Sequence, residues 1–169
     1  MHAMANETDV WKMGGLGDHM KYTRWTFFIA CLAIAGIFPF AGYFSKEEIL
    51  GAAFHSGNYP VYVIALITAF LTAFYMFRIY FLTFRGTPRY DTHAHHAHES
   101  PSVMTVPLLI LGFFSIVAGW IGIKFHDVSW FHSFLSPVFS HGAEHAAAEE
   151  GSGAYLLIGI ALLVAGSGI

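Results

Sequence analysis

Four consecutive polar residues, Ser45-Lys46-Glu47-Glu48, stand within an otherwise apolar stretch of the chain. A lysine next to carboxylic acids, away from bulk water, can take up and release a proton, and ionisable groups within membrane-length apolar runs are functional by default. The residues around the cluster set its electrostatics. Gly36, Pro39 and Gly42 interrupt the run just ahead of it, Pro39 because it has no N–H and clashes with the preceding turn. A helix is therefore expected to stop near 36–38. Ser45 followed by Glu48 and then Ile49-Leu50 matches a capping box, which predicts a second half-helix starting at about Lys46 with Ser45 as N-cap and Glu48 reaching back. A lysine in that first turn would meet the positive end of the helix dipole as well as desolvation, and both disfavour the ammonium. Glu47 and Glu48 favour it, so the three groups form one coupled unit. A second reading stays open: Gly and Pro kink the helix, and Lys46 snorkels towards headgroups with the acids as interfacial solvation.

Arg78, in Phe74-Tyr-Met-Phe-Arg-Ile-Tyr80, is the other charge within an apolar run. It precedes Arg85 by about two helical turns, which suits an interfacial anchor and leaves a part in proton wiring as the alternative. Thr68, Thr72 and Tyr75 follow helical spacing and could pack helices or line a wet path. Histidines cluster at His93, His95, His96 and His98, and again at His126, His132, His141 and His145. Alternating imidazoles can bind zinc or copper, but no spacing fixes a second shell, so these are read as solvated polar loops and no metal site is assigned.

The elements that must position these groups follow from composition. The chain has 169 residues, 56% hydrophobic and only 11% charged, outside the range of soluble domains. Four apolar segments, about 23–56 (broken), 60–84, 104–123 and 154–169, approach the roughly 20 residues that cross a bilayer. With no strand-like alternation, they are expected to be helices, giving an all-α integral membrane bundle with a broken helix at about 36–45. The segment 154–169 is short for a span, so the chain is expected to be a fragment, a single membrane domain over 1–169, cut inside a helix. Lys12, Lys21 and Arg24 before the first span, with Arg85 and Arg89 after the second, place the N-terminal region and loop 85–103 on the cytoplasmic side and loop 124–153 opposite. Eight scattered Lys and Arg at net charge −3 offer nothing to nucleic acid. Cys31 alone cannot build a disulfide framework or a metal–sulfur centre.

Three stretches carry a resemblance: Asp9-Val-Trp-Lys-Met-Gly-Gly-Leu16, Ala35-Gly-Ile-Phe-Pro-Phe-Ala-Gly-Tyr-Phe-Ser-Lys-Glu-Glu-Ile-Leu50 and Ala73-Phe-Tyr-Met-Phe-Arg-Ile-Tyr-Phe81. Over almost the whole chain the sequence resembles the largest antiporter-like membrane subunit of respiratory complex I, NADH:quinone oxidoreductase. The resemblance implies a fragment holding the twelfth to fourteenth helices and the start of the fifteenth, with the twelfth broken in mid-membrane. It implies that Lys46 is a lysine of the family's hydrophilic axis and that Glu47, where the family usually has Asp, pairs with it on the outward proton route. Phe38 stands where many relatives carry proline, which leaves the break to Pro39 and the glycines. By the same resemblance the complete subunit moves protons, its partners are lipid and the other complex I membrane subunits, and FMN, iron–sulfur clusters and quinone are held elsewhere, with no cofactor in this chain. The bacterial inner membrane is the implied location. The related large subunits of multisubunit cation/proton antiporters and of membrane-bound hydrogenases are the alternative.

Overall fold

The computed structural model describes residues 8–90 and 98–122 and, near the C-terminus, 159, 162–164 and 166–168. Four α-helices dominate: α1 (Lys21–Ala35), α2 (Ala41–His55), α3 (Tyr59–Phe84) and α4 (Ser102–Val117), the last continuing as a 3-10 turn, Ala118–Gly122. Among the described residues there is no strand. The span expected at 154–169, the loop 124–153 and all the clustered histidines except His98 lie largely or wholly outside the described residues. Among the described residues no group of three His, Cys, Asp or Glu could hold a metal.

The helix α3 is the longest uninterrupted element among the described residues, and α1 and α2 pack along it. Its 26 residues start with Pro60 in the first turn, where a missing N–H costs nothing, and rise about 39 Å. It and Ser102–Trp120, with mean hydropathy 2.0 and 2.1, are each long and apolar enough to cross a membrane. Their surfaces agree, since Ile64 is 64% exposed, Leu111 66% and Val103 82%. Apolar area of that extent needs lipid or further protein against it.

Helices α1 and α2 together run antiparallel to α3 as one interrupted rod. At 15 residues each, either half rises only about 22 Å, short of a hydrocarbon core of about 30 Å. Phe27 meets Tyr80 and Phe84, Cys31 and Ala35 pack on Ala73 and Phe77, and Phe54 lies against Tyr59 and Tyr62. The interruption therefore falls opposite the middle of α3. It is closed from the other side by the turn after α4, where Gly119 lies against Ala41 and Phe44 and Trp120 faces Phe38 with ring centroids 6.5 Å apart.

The N-terminal segment folds onto the end of α3. Met13, Leu16 and Met20 form a small core with Phe84. Arg89 staples it there, with Nε donating to the Met13 carbonyl and Nη2 to the Leu82 carbonyl, each at 2.6 Å, while the Gly15 amide donates to the Arg85 carbonyl.

Candidate functional site

The site begins with the way α1 ends. Gly36 adopts φ +81°, and the Gly36 amide donates to the Ala33 carbonyl while the Ile37 amide donates to the Leu32 carbonyl. This is a Schellman motif, and glycine is there because side chains resist the left-handed conformation. It satisfies two of the last carbonyls and leaves that of Ile34 needing a donor. The donor is Lys46: its Nζ reaches back across the break to the Ile34 oxygen at 2.6 Å. The stem of Lys46 lies over Gly36, where an added Cβ would come within 2.8 Å of its Cδ.

This arrangement corrects the expected start of the second half-helix. α2 begins at Ala41 with Phe40 as N-cap, so Ser45 and Lys46 are its fifth and sixth residues. The Ser45 hydroxyl donates to the Gly42 carbonyl at 3.3 Å instead of capping, and Glu48 is exposed on the outer face with no capping role. Gly42 supplies the physical reason. It lies so close to the Ala33 carbonyl that a Cβ there would run into the oxygen, which lets the first turn of α2 nest against the end of α1. That packing outweighs a local capping pattern worth about 1 kcal/mol. The helix-dipole part of the electrostatic expectation changes sign with it, while the desolvation part stands. Lys46 does not sit on the positive end of its own helix. Its ammonium sits on the negative end of α1, where a cation is attracted.

Lys46 and Glu47 are neighbours in sequence but do not point at one another, since successive helix residues are about 100° apart. Glu47 is half buried, with Tyr43 one turn earlier on the same helix as its polar neighbour. Lys46, also half buried, borders an open groove of about 370 Å³ between α2 and α3, with Leu50, Thr68, Ala69 and Thr72 among its walls. Thr68 and Thr72 donate to the carbonyls of Ile64 and Thr68 at 2.8 and 2.6 Å. Tyr75 is exposed and does not line this groove.

Arg78 is not brought to this cluster. It lies six residues past Thr72, about 9 Å further along α3, with its Cζ 5.7 Å from the centroid of the Trp11 ring. It borders a second groove of about 500 Å³ together with Arg85 and Arg89. Tied to an aromatic of the N-terminal segment and flanked by two other arginines, it has the surroundings of an interfacial anchor.

One polar residue that sequence reasoning passed over holds the other end of α1. Glu99 accepts from the Tyr22 amide at 2.8 Å and from the Thr23 hydroxyl at 2.6 Å, so a carboxylate covers the positive end of the helix whose negative end receives Lys46. The missed signal was the lack of an acidic or hydroxyl N-cap at Met20, which left the first amides of α1 seeking an acceptor from elsewhere.

Comparison with known proteins points to a membrane family. Residues 1–72 match the family model described as NADH:quinone oxidoreductase/Mrp antiporter, TM. The chain is 43% identical over 127 residues to NADH-quinone oxidoreductase subunit L of Campylobacter jejuni, covering 75% of this chain and 21% of that one. It is 42% identical over 162 residues to NAD(P)H-quinone oxidoreductase chain 5 of a Picosynechococcus species, covering 85% and 24%. To F(420)H(2) dehydrogenase subunit L of Methanosarcina mazei it is 40% identical over 129 residues, covering 70% and 19%. The chain thus spans about a fifth to a quarter of the length of these relatives. With its long apolar helices, its broken rod and these matches, the chain belongs to the membrane family of NADH:quinone oxidoreductase and antiporter-like subunits.

Proposed function

We propose that this chain is part of a proton-translocating membrane subunit of an NADH:quinone oxidoreductase, in which Lys46 carries the proton. The observation that supports the reading is the Lys46 ammonium held on the open carbonyl end of α1, opposite the middle of α3. A charge at that depth is expensive unless it is partnered. Here the partner is a helix end, whose attraction depends on closeness and falls off within a turn. A small shift of α1 relative to α2 therefore changes how strongly the proton is held. Glu47 is the next carrier. Its carboxylate faces away from Lys46, so water completes the transfer, with the Tyr43 hydroxyl as the neighbouring polar group. Arg78 takes no part in the relay and anchors the end of α3.

In this reading, electrons move in other subunits, which hold FMN, iron–sulfur clusters and quinone. The other membrane subunits of the complex and lipid cover the exposed faces of α3 and α4. The relative named as an F(420)H(2) dehydrogenase subunit and the Mrp antiporters named with the family favour a second reading, in which the same lysine serves an ion-exchange module attached to a different electron donor. The experiment is a Lys46→Ala subunit assembled into its complex and reconstituted in vesicles. Proton uptake per NADH oxidised is expected to fall while NADH oxidation by the peripheral centres persists. Unchanged proton movement at unchanged assembly overturns the role of Lys46, and a membrane complex that fails to oxidise NADH but exchanges cations for protons selects the second reading.

A further inference from the structure

Among the described residues, the hydrogen-bond requirements of Lys46 are only partly met. An ammonium has three N–H donors, and one of them goes to the Ile34 carbonyl. At membrane depth each remaining donor needs an acceptor, because a charged group left short of hydrogen bonds costs more than a neutral one. The groove beside Lys46 is walled mostly by aliphatic side chains, and among the described residues the other polar side chains bordering it are Thr68 and Thr72.

The hydrogen bonds of these two threonines decide what they can offer. Each hydroxyl proton is already given to a carbonyl of α3, that of Ile64 or of Thr68. Each oxygen keeps lone pairs with which it can only accept, complementary to an ammonium that has only donors. They stand one turn apart, about 6 Å along the helix axis, a separation that water bridges more readily than a single lysine side chain. At about 370 Å³ the groove has room for several waters, each occupying roughly 30 Å³ in the liquid and needing two to four polar partners.

From this geometry we infer that Thr68 and Thr72 hold a short file of water against Lys46, and that they are positioning residues for its proton exchange. The inference rests on the proposed role of Lys46 and adds the path by which the proton reaches or leaves it. Water between the ammonium and the threonine oxygens supplies the missing acceptors. It also supplies the medium through which Lys46 gives a proton to a neighbouring water, the N–H bond breaking as an O–H bond forms and the amine lone pair being regained.

The test uses the intact complex in vesicles with Thr68→Val, Thr72→Val and the double substitution, which keep the shape and remove the acceptor oxygens, and with Thr68→Ser and Thr72→Ser, which keep the oxygens. Proton translocation is read per NADH oxidised, in H2O and in D2O, beside Lys46→Ala. The double valine variant is expected to slow proton translocation by about fivefold or more, the size of one lost hydrogen bond, and to change its solvent isotope effect, while the serine variants match the unsubstituted complex. Unaltered translocation and isotope effect in the valine variants, with Lys46→Ala defective, overturn the water file and leave the role of Lys46 standing. A loss in the serine variants equal to that in the valine variants also overturns it, since side-chain packing would then be responsible. Should the double variant not assemble, the same readings on the single variants decide in the same way. If Lys46→Ala itself translocates normally, the proposed function has failed first.

Discussion

The two ends of α1 have the same structural problem and solve it with opposite charges in different surroundings. At Lys21 the helix presents free amides, and Glu99, arriving from the polar segment before α4, accepts from Tyr22 and Thr23. At Ala35 it presents free carbonyls, and Lys46, arriving from within the same interrupted rod, donates to Ile34. Tyr22 is 62% exposed, so water can take the place of Glu99. Ile34 is 43% exposed, but on an apolar rod whose surface faces lipid or neighbouring helices rather than water, and among the described residues Lys46 is the side chain that donates to that oxygen. The same capping chemistry is thus more readily replaced by water at one end than at the other, a difference on which the proposed role of Lys46 depends.

The comparison can be broken most severely at Gly42. Gly42→Val forces a side chain into the Ala33 carbonyl and separates the two half-helices, and overpacking of this kind costs about 3 kcal/mol. Little assembled complex should then be recovered from membranes, by quantitative native electrophoresis. Lys46→Met comes next. It leaves the Ile34 carbonyl without a donor, which costs about 2 kcal/mol, seen as a lowered melting temperature of the purified complex. Lys46→Arg keeps charge and donor but does not give up its proton. It should restore the melting temperature and leave proton translocation abolished, separating the cap from the carrier. Gly36→Ala should cost about 1.5 kcal/mol for the left-handed conformation and displace the Lys46 stem as well, so translocation should fall along with stability. Glu99→Ala is the mildest. Losing an N-cap acceptor costs about 1 kcal/mol, and raising the salt should shrink the difference from the unsubstituted protein, since exposed charges are screened over about 10 Å at 0.1 M. If salt shrinks the Lys46→Met effect to the same degree, the two ends are alike and the contrast between them is wrong.

What could be read in the sequence divides along the same line between local and distant partners. The helical membrane class was visible in the long apolar runs, and the interruption in Gly36, Pro39 and Gly42, because helix breaking is a property of the residue itself. The start of α2 was not. Ser45 and Glu48 spell a capping box, but the close approach of Gly42 to the Ala33 carbonyl depends on how two half-helices meet, and it moved the helix start back to Ala41. The partner of Lys46 was hidden for a different reason: it is a backbone carbonyl, which carries no residue signature. A helix ending on a left-handed glycine does leave carbonyls that want donors, and that was the available clue. Glu99 binds a helix start 77 residues away in sequence, and only the absence of a cap at Met20 hinted at it.

The Arg89 staple carries a mechanical consequence. The interrupted rod is joined to α3 at one end by the short turn through Ser56–Asn58 and at the other by Arg89, Gly15 and the small core around Phe84. A beam clamped at both ends cannot relieve a local disturbance by sliding, so it flexes at its weakest section. Here that section is residues 36–40, spanned by the Lys46 side chain, and a displacement imposed anywhere along the rod is concentrated at the hydrogen bond between Lys46 and Ile34.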